Sequence, residues 1–459
     1  MNLVYAMILS IGVKGISAIV EIAIQMLISN GVGVSGYGEY TFFVNLISGI
    51  YFFLFAGSVK LNTFYLSTPS ASLSNFKKKY LLFFVIPIMS IIIGVFGIMK
   101  NVYGVVAGII LFLYYYAYDC SSVMFSRGKQ LPALLGEYLF GRIIMLIGTF
   151  SAIHFKFATG IVLLAMYGLE FVTIILWLEP QRLKLPKGTD EITVPMSKLI
   201  HYQVSDVANS LISYSPTILQ YIVGGAFTAG FSGIISVIKK FINFISGPTA
   251  KVFLPEFSRL YKLGEKDKLE DSYLMIVRVQ MVFIGTIGAL LLGFPNLVLR
   301  LFNSELEQYA STFSLTAACL LFIAGIGPVI GVLQMTGNER ICNRNQWMSI
   351  GIMIVAWLVL HKLPLFAIYG ICVQAVLEGV MNYYSVCKWF GKLIVPLKNY
   401  LLLWGPVVGL RIFINAVKLT YSIPALFIGV LAVFAWNLYF AYQDKMVKAS
   451  IMNLLHKGK

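Results

Sequence analysis

From residue 4 to residue 442 the sequence alternates between apolar runs of about twenty residues and short polar links. That alternation admits few architectures. A helix needs about 20 apolar residues to cross the hydrocarbon core. Inside lipid every backbone polar group must be bonded within the protein, so an irregular chain is excluded there. The runs fall at about 4–29, 41–59, 80–99, 103–125, 134–153, 158–178, 201–223, 230–253, 273–295, 311–333, 346–361, 366–387, 399–417 and 422–442. The fold class this predicts is an all-α polytopic membrane protein with about 14 transmembrane helices. Composition agrees: 59% of the chain is hydrophobic and 12% charged, against roughly 25% charged in soluble domains.

The links carry the orientation. If residue 4 starts inside, the inner links and tail hold about 22 Lys and Arg and the outer links about five, and the bias repeats at every inner link. Both termini are therefore expected in the cytoplasm, and residues 4–29 read as a retained first helix. The net charge of +16 belongs to this retention of basic loops and not to a nucleic-acid partner. No link is much longer than about 20 residues, too short for a folded extramembrane catalytic domain of about 50. Walker A, HExxH and GxSxG sequences do not occur. The five cysteines show no CxxC spacing, so neither a zinc site nor a disulfide framework is expected. The reading is a transporter rather than an enzyme, with no cofactor and no metal.

The first hairpin, residues 4–60, concentrates the chemistry. Ser10, Lys14, Ser17, Glu21 and Gln25 are spaced by four, three, four and four residues, which puts them on one helical face. A lysine and a glutamate near mid-membrane each cost about 2.5–3.5 kcal/mol on insertion scales. Seven residues apart, they sit about 10 Å from each other along the helix. Each needs water, a ligand or a partner on another helix, so this face is expected to line a hydrated cavity.

A second stripe, Asp206, Ser210, Ser213, Thr217 and Gln220, lies on the seventh span, with Pro216 inside it. Short outer turns follow both spans: Asn30-Gly-Val-Gly-Val-Ser-Gly-Tyr-Gly38 and Gly224-Gly-Ala-Phe-Thr-Ala-Gly-Phe-Ser232. The turns match at an offset of 194, whereas the stripes are then about two residues out of register. The match predicts a duplicated core: residues 1–200 (spans one to six), 201–398 (spans seven to twelve), then 399–459 with spans 13 and 14. The eighth span carries Lys239 and Lys240 near its middle, with Asn243 and Lys251 continuing one face. Lys240 fits the cavity face better, leaving Lys239 to snorkel or line a neighbouring wall. Lys14 with Lys239 or Lys240 forms either a cationic pocket for a phosphate or diphosphate or a set of structural pairs with Glu21 and Asp206. Those two acids are also the candidates for coupling to a proton or Na+. Ser17, Gln25, Ser210, Ser213, Thr217 and Asn243 supply polar lining. Among the remaining embedded charges, Arg142 is the first candidate to join the pocket. Glu137, Glu170, Arg278, Glu378 and Arg411 read as interhelical contacts, and Asp119 lies in a tyrosine run that reads as packing.

The long charged first span, the segment Gly33-Val-Ser-Gly-Tyr-Gly-Glu-Tyr40 and the apolar second span resemble the start of polysaccharide-biosynthesis flippases of the Wzx type. These belong to the multidrug, oligosaccharidyl-lipid and polysaccharide exporter superfamily. The resemblance implies two six-helix lobes in a V plus two C-terminal helices, with alternating access to a central cationic cavity. The substrate it implies is an undecaprenyl-diphosphate-linked oligosaccharide repeat unit of O-antigen or capsule, moved across a bacterial inner membrane. Basic residues of the first and eighth spans then hold the diphosphate. Partners would be membrane lipids and the polymerase and chain-length regulator of the same pathway. The rivals are a lipid II flippase, a multidrug exporter of the superfamily, a membrane-embedded polymerase or ligase, and a scaffold. Short, His-poor outer links count against the polymerase, and a cationic cavity against an exporter of cationic drugs.

Overall fold

The computed structural model describes residues 3–66, 70–186, 188–394 and 397–443. Sixteen α-helices account for nearly all of them: α1 Leu3–Leu54, α2 Ala56–Tyr65, α3 Ser74–Ile98, α4 Val102–Ser126, α5 Gln130–His154, α6 Gly160–Arg182, α7 Met196–Ser213, α8 Ser215–Lys262, α9 Lys266–Gly293, α10 Pro295–Phe302, α11 Ala310–Gly325, α12 Val329–Met335, α13 Glu339–Leu360, α14 Phe366–Phe390, α15 Leu397–Val417 and α16 Ile423–Tyr442. Two strands of two residues, β1 Ala71–Ser72 and β2 Asp190–Glu191, pair in parallel.

The expectation of about fourteen spans meets ten continuous helical stretches long and apolar enough to cross a bilayer by length and composition. Two of those, Gly12–Leu54 and Tyr202–Ile242, run through α1 and α7–α8. Each contains a glycine whose backbone leaves the helical region: Gly33 at φ 74°, ψ 170° and Gly225 at φ 82°, ψ 177°. Each stretch therefore supplies two passes. The other two expected spans are α13 and α15. Glu339, Arg340 and Arg344 dilute the apolar run of α13, and the apolar part of α15, Trp404–Val417, is short. The physical reason for the difference is that glycine, lacking a Cβ, lets a chain turn a corner without ending its helical hydrogen bonding on either side.

The chain divides into two compact units, Met1–Ile234 and Ile235–Lys459. In the first, α5 and α7 pack along α1, α6 packs along α4, and α2 packs on α4 and α7. Aromatic rings fill the centre: Tyr51 stacks on Tyr114 at 4.3 Å and Tyr114 on Phe171 at 4.6 Å. The tyrosine run of α4 is thus packing, as its sequence context suggested. After the two glycine corners, the segments 34–41 and 226–233 cross in close contact. A Cβ on Gly38 would lie 1.7 Å from the Ala226 carbonyl oxygen, and one on Gly230 would lie 2.5 Å from that of Val34. Gly33 and Gly225 differ by 192 in number, and so do Val34 and Ala226, and Gly38 and Gly230. The crossing is therefore locally two-fold. The same offset sets Lys14 beside Asp206, Glu21 beside Ser213 and Gln25 beside Thr217 in the numbering, which removes the two-residue slip left by matching the turns at 194.

In the second unit α9 is central, packing on α11, α15 and α16, while α13 pairs with α14. Phe257, Tyr273, Ile276, Val332, Val386 and Phe390 lie in one buried cluster. Gly327 at φ 88° and Pro328 break the chain between α11 and α12, and the Tyr273 hydroxyl donates to the freed Ile326 carbonyl. Leu431, Phe427 and Ile428 of α16 are exposed, as a helix facing lipid tails requires.

Candidate functional site

The first-span stripe meets its partners inside the N-terminal unit. Glu21 Oε2 lies 3.0 Å from one terminal nitrogen of Arg142, and Glu170 Oε1 lies 3.0 Å from the Arg142 Nε. The three side chains are 13%, 20% and 4% exposed for Glu21, Arg142 and Glu170. Local sequence builds this triad. The π-turn Gly136–Phe140 inserts an extra residue into α5 just before Arg142. Gly141 then leaves room for α6, since a Cβ there would sit 2.9 Å from the Glu170 Cγ. Two carboxylates share one guanidinium, so the triad carries a net charge of about −1 with all three groups ionised. Arg142, expected in the anion pocket, is held between two carboxylates. Glu170, expected as an interhelical contact, is one. Gln25 Oε1 and the Tyr37 hydroxyl are buried on α1 without a hydrogen-bond partner.

The Lys14 ammonium sits 5.0 Å from the centre of the Tyr138 ring, a cation–π contact. Tyr138 comes from the same π-turn. Beside it the Ser121 hydroxyl donates to Glu137 at 2.6 Å. Ser17, one turn from Lys14, is buried.

Asp206 of the second stripe is 2% exposed and pairs through Oδ1 with Lys60 of α2, while its Oδ2 is buried without a hydrogen-bond partner. Ser210 donates to the Gly49 carbonyl at 3.1 Å. Thr217 and Ser232 hydroxyls meet at 3.0 Å, and Ser213 is half-buried. Gln203 ties α7 to the corner after α1, donating to the Phe52 carbonyl at 2.7 Å and accepting from the Gly57 N–H at 2.9 Å.

Lys60 was missed by sequence reasoning. It lies just past the expected end of the second span, where a lysine reads as an interfacial anchor. The signal was its place as the lone cation of the stretch 56–65, ahead of a span with one embedded acid. Asp119 was under-read as well. It accepts from Asn62 at 2.8 Å and from Lys77 at 2.9–3.0 Å, with Arg182 at 3.8 Å, so one carboxylate joins α2, α3, α4 and α6.

Lys239 and Lys240 belong to the other unit. Lys239 is half-buried and within electrostatic range of Glu378 on α14, which also accepts from Gln374. Lys240 is exposed. The Asn243 side chain lies outside the described residues. Among the described residues no three His, Cys, Asp or Glu side chains are grouped to hold a metal ion.

No protein-family model matches the sequence, and no curated protein does. Solved structures do. An inward-facing multidrug resistance MATE family transporter of the MOP superfamily shares 14% identity at a TM-score of 0.64, over 82% of this chain and 94% of that one. The lipid II flippase MurJ, in an inward closed conformation, shares 13% identity at a TM-score of 0.69, over 95% and 98%. The chain shares the all-helical fold of these two structures.

Proposed function

We propose that this protein is a flippase for an undecaprenyl-diphosphate-linked oligosaccharide repeat unit of the O-antigen or capsule type, working by alternating access in a bacterial inner membrane with both termini in the cytoplasm. The observation that carries this reading is the division of labour among the embedded charges. Arg142 holds Glu21 and Lys60 holds Asp206, and Lys14 lies on the face of Tyr138. In this reading Lys14 receives the diphosphate as a point charge, while the tyrosine beside it offers a surface on which a sugar stacks. Arg142 sets the position of the first span. Glu21 and Asp206 are the carboxylates through which a proton or Na+ gradient acts. The likeness to MurJ favours lipid II, another lipid-linked sugar, as the second reading. The polymerase and chain-length regulator of the pathway are the partners the first reading expects.

The test is Lys14→Ala in a strain lacking the native gene, scored for surface polymer with protein level checked. Loss of polymer at normal protein level is the expected result. Normal polymer returns Lys14 to a structural role and removes the pocket's main support. Liposomes holding the purified protein and offered lipid II or the repeat-unit lipid separate the two cargoes.

A further inference from the structure

We infer that the groove between α13 and α14 binds the phosphate headgroup of an anionic phospholipid. Arg344, Asn345, Met348, Met381, Tyr384 and Ser385 line a cavity of about 350 Å3 on that side of the second unit. Its polar groups form a chain of donors. Arg344 donates to Asn345 Oδ1 at 3.4 Å, and Asn345 Nδ2 donates to Asn382 Oδ1 at 3.0 Å and to the Ser385 hydroxyl at 3.3 Å. The Ser385 hydroxyl donates to the Met381 carbonyl. Asn382 is 1% exposed, and its Nδ2 is buried with no hydrogen-bond partner. Among the described residues no carboxylate lies within ion-pair distance of Arg344. A guanidinium has five N–H donors and no acceptor, so the network has more donors than acceptors whichever way the two amides are turned. What is missing is an anion with several acceptor oxygens.

The surroundings select a lipid as its bearer. Tyr384, 66% exposed, lines the groove, and Trp347, 40% exposed, stands three residues after Arg344 on α13; such aromatic residues gather at headgroup depth. Arg340 lies one turn before Arg344, and Lys388 one turn beyond Tyr384, so this is the basic end of both helices. Basic pockets between transmembrane helices on that side suit anionic headgroups. Met348 and Met381 provide flexible apolar walls for the start of an acyl chain. The inference does not depend on what the protein carries.

The experiment is native mass spectrometry of the full-length protein in detergent, titrated with dioleoyl phosphatidylglycerol, dioleoyl phosphatidylcholine or inorganic phosphate. Phosphatidylglycerol is expected to be retained in preference to phosphatidylcholine. Arg344→Ala is expected to weaken its retention about tenfold, one charge-assisted contact of about 1.4 kcal/mol, and Arg344→Lys less. Met381→Trp, which fills the groove and leaves Arg344 in place, is expected to weaken it too, so the test stands even if Arg344→Ala folds poorly. Unchanged retention in both Arg344→Ala and Met381→Trp, or equal retention of phosphatidylcholine, overturns the inference. Displacement of the lipid by an equal concentration of inorganic phosphate overturns the lipid as bearer.

Discussion

Replacing Arg142 by Gln tests the triad by its asymmetry. The guanidinium lies 3.0 Å from both Glu21 and Glu170. At an effective dielectric of about 20, each such contact is worth about 5.5 kcal/mol before desolvation is subtracted. Arg142→Gln removes both attractions and leaves two buried carboxylates facing one neutral amide. Breaking a buried pair this way costs about 3–5 kcal/mol. Glu170→Gln is a different perturbation: it takes the triad from a net charge of about −1 to neutral and keeps the Arg142–Glu21 pair. Its cost is a charge-assisted hydrogen bond made weaker, about 1–2 kcal/mol. The double variant leaves one carboxylate among amides and should be less destabilised than the sum of the singles by at least about 1 kcal/mol. The measurement is a denaturant titration of each purified variant in mixed micelles. Glu170→Gln costing as much as Arg142→Gln, or strict additivity, refutes the reasoning that one cation serves two acids.

Gly33→Ala and Gly225→Ala should each cost about 1–3 kcal/mol through backbone conformation alone, because a Cβ at either position meets nothing within 4 Å; the same titrations read this. Gly38→Ala acts sterically, since its Cβ would begin 1.7 Å from the Ala226 oxygen. It should cost about 1–3 kcal/mol by overpacking, and a cysteine-crosslinking survey across 34–41 and 226–233 should show the crossing loosened. Glu191 caps α3 from across the two-strand pairing: the Ser72 hydroxyl first, and the Asn75, Phe76 and Ser74 N–H groups with it, hold its carboxyl below the ordinary glutamate value. A depressed folded value stabilises above the unfolded one and is lost as pH falls through it. Hydrogen exchange at residues 74–77 should therefore quicken below the usual carboxylate range, and Glu191→Gln should abolish that pH dependence.

Much of this protein was legible without coordinates because a bilayer enforces a one-dimensional rule. Length and hydropathy alone locate helices when no backbone group can turn to water, so the ten long apolar helical stretches could be read from their apolar runs. The polar stripes were also legible, since helical spacing places residues on a face whatever the neighbours do. The two glycine-rich turns pointed to the glycine corners, although only the backbone angles of Gly33 and Gly225 set their true offset of 192. What the sequence could not decide was pairing. Glu21, Arg142 and Glu170 stand on three different helices, and Lys60 and Asp206 are separated by 146 positions. Which cation neutralises which acid depends on helix rotation and on small residues such as Gly141 that let helices approach, quantities set by packing of the whole unit. A charge in a span announces that a partner is needed, because leaving it alone in lipid is too costly; only the tertiary structure names the partner.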